Sequence, residues 1–266
     1  MIRSNQSLET VEIVVDGEIG HLRLNRTQAL NAFNLPLMKD IISAAEWFDE
    51  HKEIKVVIVE GNGRSFCAGF DMDYFSELAS PEQIREIVDL GNKLANKVTK
   101  MRAVTIASVH GHCIGGGVVL MGACDFRYAS INASFLLPET QLGIPLAWGG
   151  IPRLMREIGP LRTAEFTLLA ERITSQEALN MGMLNEVHED AALKDRVSVV
   201  ANRLASLSSL VIETTKQQLV AAKEELASNA YSYCDAHLLH TALLDEESKA
   251  TRQRYVQQMQ ARKNTR

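Results

Sequence analysis

The chain has 266 residues, 46% of them hydrophobic, and a formal net charge of -5. This length and apolar content suffice for a substantial core, in one large domain with or without a smaller appendage. The negative balance excludes broad electrostatic attraction to nucleic acid or an anionic membrane, so a polyanionic ligand would have to be held locally.

Val11 to Val15 and Gly20 to Leu24 read as two short strands joined at Asp16-Gly17, a turn dipeptide that favours a hairpin. After Asn34, residues Leu37, Ile41, Ala44, Ala45 and Phe48 recur on one helical face, with Pro36 in the first turn. Val56-Val57-Ile58-Val59 is a β-branched run suited to a strand buried on both faces, closed by Gly61-Asn62-Gly63. Ser65 to Asp71 (SFCAGFD) is a loop of small residues between aromatics, and it leads to a helix near Met72. Ser80, Pro81 and Gln83 make a capping box for a helix that should run to about Lys100. Val104 to Val109 is another buried strand.

His110 to Asp125 (HGHCIGGGVVLMGACD) follows, with Gly115, Gly116 and Gly117 between a strand-like and a helix-like run. Three glycines in a row suggest a tight backbone path or close approach of another group. A helix beginning near Gly117 would present unpaired N–H groups and the positive end of its dipole to a phosphate or an oxyanion. Glycines serving packing alone would give the same composition. Neither a P-loop nor G-x-G-x-x-G is present.

Phe126 to Ala129 and Ser134 to Leu137 are strand-like, and Gly149 to Ile158 and Arg162 to Leu169 look helical. Thr174-Ser175-Gln176-Glu177 caps a short helix ending at Gly182, and Leu184 to Val187 gives a last strand. Such repeated strand, loop and helix units argue for an α/β architecture. From about Ala191 only helical patterns remain, over Ala192 to Ala205, Leu210 to Leu226 and roughly Tyr231 to Gln260. The tail residues Tyr231, Tyr233, Leu238, Leu239, Leu243 and Leu244 pack either against another subunit or onto the chain's own core.

Cys67, Cys113, Cys124 and Cys234 form no Cys-x-x-Cys pair and no Cys/His spacing typical of zinc. Met1 to Glu9 has no secretory pattern, no apolar run approaches ~20 residues, and Lys263-Asn264-Thr265-Arg266 is not a peroxisomal address. The expectation is a reduced, cytoplasmic protein with no metal site, no membrane span and no nucleic-acid partner. His110 and His112 should share one side of a strand end in a structural role, and His237 and His240 should lie at an interface or the surface. Asp125 reads as a cap or ion-pair residue.

Leu24 to Phe33 (LNRTQALNAF), Ser65 to Asp71, and His110 to Asp125 running on to Arg153-Leu154 together resemble the crotonase superfamily, the enoyl-CoA hydratases and isomerases, over roughly residues 11 to 190. The resemblance implies an α/β crotonase-like spiral of β-β-α repeats over residues 1 to 195. It also implies a helical region over residues 196 to 266 that builds a homotrimer or a dimer of trimers. The substrate would be a coenzyme A thioester, with no prosthetic group, and its carbonyl oxygen would accept from the backbone N–H groups of Phe70 and Gly116.

By the same matching, Ala29, Leu30, Ala32, Ala68 and Asp71 would contact coenzyme A. Arg26 is either a phosphate ligand or an ordinary surface arginine. Met72, Phe75, Val119, Leu142 and Trp148 would line the acyl pocket, with Trp148 limiting acyl length or belonging to the core; Leu78 shares the Met72 and Phe75 helix face.

Hydratases of this family use two glutamates to hold and activate water, and the matching positions here are Val119 and Glu139. Valine carries no proton, so that arrangement is broken unless Asp71, Asp73 or Glu77 reaches in. Glu139 is either a solvated loop carboxylate or, given Leu136, Leu137, Pro138, Leu142, Ile144, Pro145 and Trp148 around it, a buried one with a pKa raised toward ~6 to 7. The segment Glu139 to Ile144 is similar to that of mitochondrial 3,2-enoyl-CoA isomerases, which also lack the first glutamate. The expected activity is isomerisation of 3-enoyl-CoA to trans-2-enoyl-CoA with Glu139 as sole acid/base. A hydratase using another acid and a non-catalytic acyl-CoA binder are the alternatives.

Overall fold

A computed structural model describes residues 2–3, 8–76 and 80–264. The hairpin forms as its turn dipeptide requires: β2 (Val11–Asp16) and β3 (Ile19–Leu24) pair antiparallel around Gly17, whose φ of +61° suits glycine, and β1 (Ile2–Arg3) adds to the outer edge of β2. β3 then starts the parallel part of the sheet, continuing through β4 (Val56–Gly61), β5 (Val104–Val109), β7 (Phe126–Ser130) and β10 (Glu186–His188) in the order β1-β2-β3-β4-β5-β7-β10.

A second layer holds β6 (His112–Ile114), β8 (Ser134–Leu136) and β9 (Ile173–Thr174), with β6 and β8 parallel. The repeat is visible in β5, β6 and α4 (Gly116–Gly122), and again in β7, β8 and α5 (Gly150–Leu168). Each turn gives one strand to the large sheet, one short strand to the small one, and then a helix. The earlier turn follows the same path, with Cys67 bridging to Cys113 where a longer strand would otherwise stand.

Helix packing follows the apolar spacing. α1 (Leu35–Glu50) is capped by Asn34, whose side chain accepts from the Leu37 N–H, and Leu37, Ile41, Ala44, Ala45 and Phe48 are fully buried. Gly20 on β3 makes room for the Phe48 ring, which a methyl there would overlap. α3 (Pro81–Lys100) begins in the expected Ser80/Gln83 capping box and lies against α1. α2 (Met72–Ser76) is a single short turn before it.

Several expectations are corrected. The glycine cluster does not follow β5 directly, because β6 intervenes and places His112 in the second layer, apart from His110. α4 starts at Gly116, one residue early. The two helices expected either side of residue 160 are both present, joined within α5 through a kink at Gly159, whose φ of +73° and ψ of 172° are not helical. The last strand is shifted to Glu186–His188, after α6 (Ser175–Asn180) with its Thr174/Glu177 capping box.

The division expected between residues 195 and 196 falls inside α7 (Asp190–Ala205), which buries Leu193, Val197, Ala201 and Ala205 against Val56, Ile58, Ile106 and Tyr128 of the sheet. This helix therefore belongs to the core. Beyond it, α8 (Ser209–Leu226) is tied to β5 and the turn before β7 by buried Lys216, which donates to the Ala103 carbonyl at 2.8 Å and pairs with Asp125 at 2.7 Å. The single long helix expected after Tyr231 is a turn and two helices, α9 (Asp235–Leu244) and α10 (Glu246–Asn264). α9 docks on α3 and buries Leu239, while Tyr233, Leu238 and Leu244 are exposed; the Tyr231 side chain lies outside the described residues. Among the described residues, no helix is long and apolar enough to cross a membrane.

Candidate active site

Two loops are zipped together at the top of the sheet. Leu30 and Asn31 adopt φ values of +50° and +58°. Asn31 stabilises that bend by accepting from the Arg26 N–H and donating to the Asn62 and Ser65 carbonyls, each at 2.9 Å. The Ala68 N–H donates to the Leu30 carbonyl at 3.0 Å, Phe33 N–H to Gly69 at 2.7 Å and Asp71 N–H to Phe33 at 2.8 Å. Arg26, Ala29, Leu30, Ala32, Ala68 and Asp71 are thereby brought to one place.

Arg26 itself is already engaged, donating to the Ala32 carbonyl at 2.5 Å and pairing with Asp71 at 2.7 Å. Burial would raise the Asp71 carboxyl, but the Arg26 guanidinium and the Tyr74 and Asp73 N–H groups outweigh it and hold the pKa below the usual carboxylate range. The Arg26 contacts engage Nη1 and Nη2, so a phosphate would share the guanidinium with Asp71. The present contribution of Arg26 is to fasten the two loops.

The second loop also runs beside the glycine cluster. Cys67 N–H donates to the His112 carbonyl at 2.9 Å and Ile114 N–H to the Cys67 carbonyl at 3.0 Å. Gly115, at φ +52° and ψ -118°, turns the chain into α4 through a conformation that side chains disfavour, and a methyl on it would come within 2.9 Å of Glu139 Oε1 and 3.8 Å of Gly69 Cα. The Asp71 and Gly115 amides are satisfied, by the Phe33 and Leu136 carbonyls at 2.8 Å each. The N–H groups of Phe70 and Gly116, and those of Gly69 and Gly117 beside them, have no acceptor among the described residues. Backbone donors are seldom left unpaired in a closed interior.

Glu139 stands opposite. Its turn is locked by Leu142 N–H to the Pro138 carbonyl at 2.9 Å and Ile144 N–H to the Glu139 carbonyl at 3.0 Å, and the Gln141 side chain ties it to the Ala170 carbonyl at 3.0 Å. Leu136, Leu137, Leu142 and Trp148 around it are buried. Its Oε2 is buried with no hydrogen-bond partner. Burial pushes the carboxyl up from 4.5 to about 7, its own backbone N–H offsetting only part, and no charged neighbour contributes.

Val119 is buried in the core at 4% exposure, Asp71 is committed to Arg26, Asp73 is exposed, and Glu77 and Leu78 lie outside the described residues. Met72 is 37% exposed on α2, and Phe75 packs edge-on to Phe70 at 6.0 Å. His110 bonds the Gly63 carbonyl, His112 bonds Ser134, and His237 is exposed on α9.

Trp148 proves central. Its ring meets Phe33 edge-on at 5.2 Å and Phe70 at 6.1 Å, and methyl groups on Gly91 or Gly116 would overlap it. It holds φ +61°, a costly conformation for a bulky residue. Asp235 on α9 secures it by accepting from the Gly149 N–H at 3.1 Å, with further donors in the Trp148 N–H and Asn92. Sequence gave no signal for Asp235, whose partners are distant along the chain.

Asp235→Ala should leave two main-chain donors unpaired and lower stability by about 2 kcal/mol, with Trp148 becoming more exposed. A Trp47→Phe background leaves Trp148 as the sole tryptophan, and its emission should shift to the red in the Asp235→Ala protein. Unchanged emission and stability would remove Asp235 from the account.

An enoyl-CoA hydratase/isomerase family profile matches residues 15–264. The chain is 30% identical over 243 residues to a peroxisomal Delta(3,5)-Delta(2,4)-dienoyl-CoA isomerase of Arabidopsis thaliana, spanning 86% of this chain and 87% of that protein. It is 32% identical over 213 residues to a short-chain-enoyl-CoA hydratase of Clostridium acetobutylicum, spanning 80% and 81% respectively. The crystal structure of an enoyl-CoA hydratase/isomerase from Mycobacterium paratuberculosis shares the fold, with a TM-score of 0.86 over 94% of this chain and 100% of that one at 24% identity.

Proposed function

The chain belongs to the enoyl-CoA hydratase/isomerase family, within the crotonase superfamily, and from that premise we propose that it isomerises 3-enoyl-CoA thioesters to trans-2-enoyl-CoA with Glu139 as its single acid/base. The observation that carries this reading is one buried carboxyl with an unpartnered oxygen, across Gly115 from two free main-chain donors, with a buried valine where a second carboxylate would be needed to orient water.

The Phe70 and Gly116 N–H groups bind the thioester oxygen. Ionised Glu139 removes a proton from carbon 2, and the electron pair shifts onto that oxygen as an enolate. Each donor to such an oxyanion typically contributes ~3 to 4 kcal/mol to lowering the barrier. Protonated Glu139 then returns the proton at carbon 4 as the enolate reforms the carbonyl, leaving the double bond between carbons 2 and 3. A carboxyl with a pKa near neutrality suits both halves of this transfer. The buried apolar flanks keep water from competing.

Ala29, Leu30, Ala32 and Ala68 offer the backbone edge along which coenzyme A lies, and Phe75, Leu142 and Trp148 wall the acyl chain. The exposed Leu161, Leu168, Leu210 and Leu244 support assembly as a homotrimer or a dimer of trimers. Hydration is the competing reaction, since a hydratase relative is as similar as an isomerase one.

The test offers trans-3-enoyl-CoA and trans-2-enoyl-CoA separately and follows the conjugated thioester absorbance. A rise with the first and no fall with the second is expected. A fall with the second, with hydroxyacyl product, would replace isomerisation by hydration.

A further inference from the structure

Arg252 on α10 reaches back over the turn that carries Glu139. Its Nε donates to the Leu142 carbonyl at 3.1 Å, its Cζ lies 5.9 Å from the centre of the Phe75 ring, and its Nη2 is buried without an acceptor. No carboxylate among the described residues pairs with it. α10 is held close here because Gly143 has no side chain: a methyl on it would overlap the Ser248 carbonyl.

Three other arginines make the contrast. Arg102, Arg127 and Arg153 each bury an unpaired Nε, while outer nitrogens donate to Glu213, to Glu157, and to Thr99 and Asn96. Arg252 does the reverse, spending Nε on a carbonyl and leaving Nη2 buried and unmet. A guanidinium stays charged, so burying one of its nitrogens without an acceptor is unfavourable. Burial lowers its pKa and nothing offsets that. The Phe75 face attracts the cation but carries no net charge.

The missing partner is therefore an anion, and its place tells which end of the substrate brings it. Phe75 and Leu142 wall the acyl side of the site, and Phe75 touches Phe70, whose N–H is one of the donors assigned to the thioester oxygen. The coenzyme A side lies at the Arg26 and Ala68 loops, where the cation is already neutralised by Asp71. We propose that Arg252 receives a carboxylate at the far end of the acyl chain, so that thioesters of dicarboxylic acids are preferred over those of monocarboxylic acids. This rests on the acyl-pocket assignment of the preceding reading, not on the isomerisation itself.

Calorimetric titration of the full-length protein with saturated acyl-CoA thioesters of matched length, one ending in methyl and one in carboxylate, tests it without turnover. The carboxylate should bind tighter by on the order of tenfold, the usual value of a charge-assisted contact. Arg252→Met should bring the two to parity, and Arg252→Lys should retain part of the difference. The preference should persist on pantetheine thioesters, which lack the nucleotide phosphates. Equal affinities in the unaltered protein would overturn the proposal, as would a preference that survives Arg252→Met or vanishes without the phosphates. The comparison in the unaltered protein decides the matter should Arg252→Met fold poorly. Preference without double-bond migration would sink the isomerase reading and spare this one, and migration with equal affinities would do the opposite.

Discussion

Glu139→Gln is expected to abolish double-bond migration, lowering kcat by roughly 10²- to 10⁴-fold, the usual contribution of a positioned acid/base. The amide is close to isosteric, so thioester binding should survive. In the unaltered protein the base must be ionised, so kcat/KM should rise with pH through about 7 and level off above it. The same substitution should stabilise the fold at high pH. Between 4.5 and about 7 the unfolded chain releases a proton that the native chain keeps, so native stability falls as pH rises through this window. The deficit above it is on the order of 3 kcal/mol. Glutamine removes the ionisation, so its melting temperature should exceed that of the unaltered protein at pH ~8 and converge with it toward pH ~4.5. Lost activity without this pH-dependent gain would place Glu139 in water instead of in its pocket.

Gly116→Ala is expected to cost activity by a different route. The added methyl leaves the N–H donor in place but overlaps the Trp148 ring and comes within 3.1 Å of Phe33. Trp148 cannot simply rotate, because its backbone is fixed by Asp235 and its ring is boxed by Phe33, Phe70 and Gly91. Overpacking of this kind typically costs ~1 to 3 kcal/mol of stability. A donor displaced by about an ångström loses on the order of a hundredfold in rate. Trp148→Leu should relieve the overlap, so the double variant Gly116→Ala, Trp148→Leu should recover rate relative to Gly116→Ala alone. Additive losses, measured by kcat and thermal melting across the four proteins of the cycle, would show that Trp148 does not press on the donor.

Elements with a long period or a chemical marker could be read from the chain. α1 and α3 declare themselves by spacing and capping, and β4 and β5 by unbroken β-branched runs. β6 and β9 have only three and two residues, too few for a period, and β6 was hidden inside the glycine stretch, whereas the equally short β8 was legible in the apolar run at Ser134 to Leu137. The break between α9 and α10 falls at Asp245, where neither glycine nor proline marks it. Around the site, Glu139 and the glycines were legible because their flanks are local. The Arg26–Asp71 pair, the Asp235 hold on Trp148 and the reach of Arg252 to Leu142 join residues far apart in the chain, and the pattern of a single segment carries no trace of them.

The central claim is that one carboxyl, shielded from water, carries the proton from carbon 2 to carbon 4. The direct measurement gives the protein a 3-enoyl-CoA deuterated at carbon 2 in ordinary water and locates the label in the product by mass spectrometry. A fraction of product molecules carrying deuterium at carbon 4 is predicted. Product whose carbon 4 hydrogen comes wholly from solvent would contradict transfer by a single sequestered Glu139.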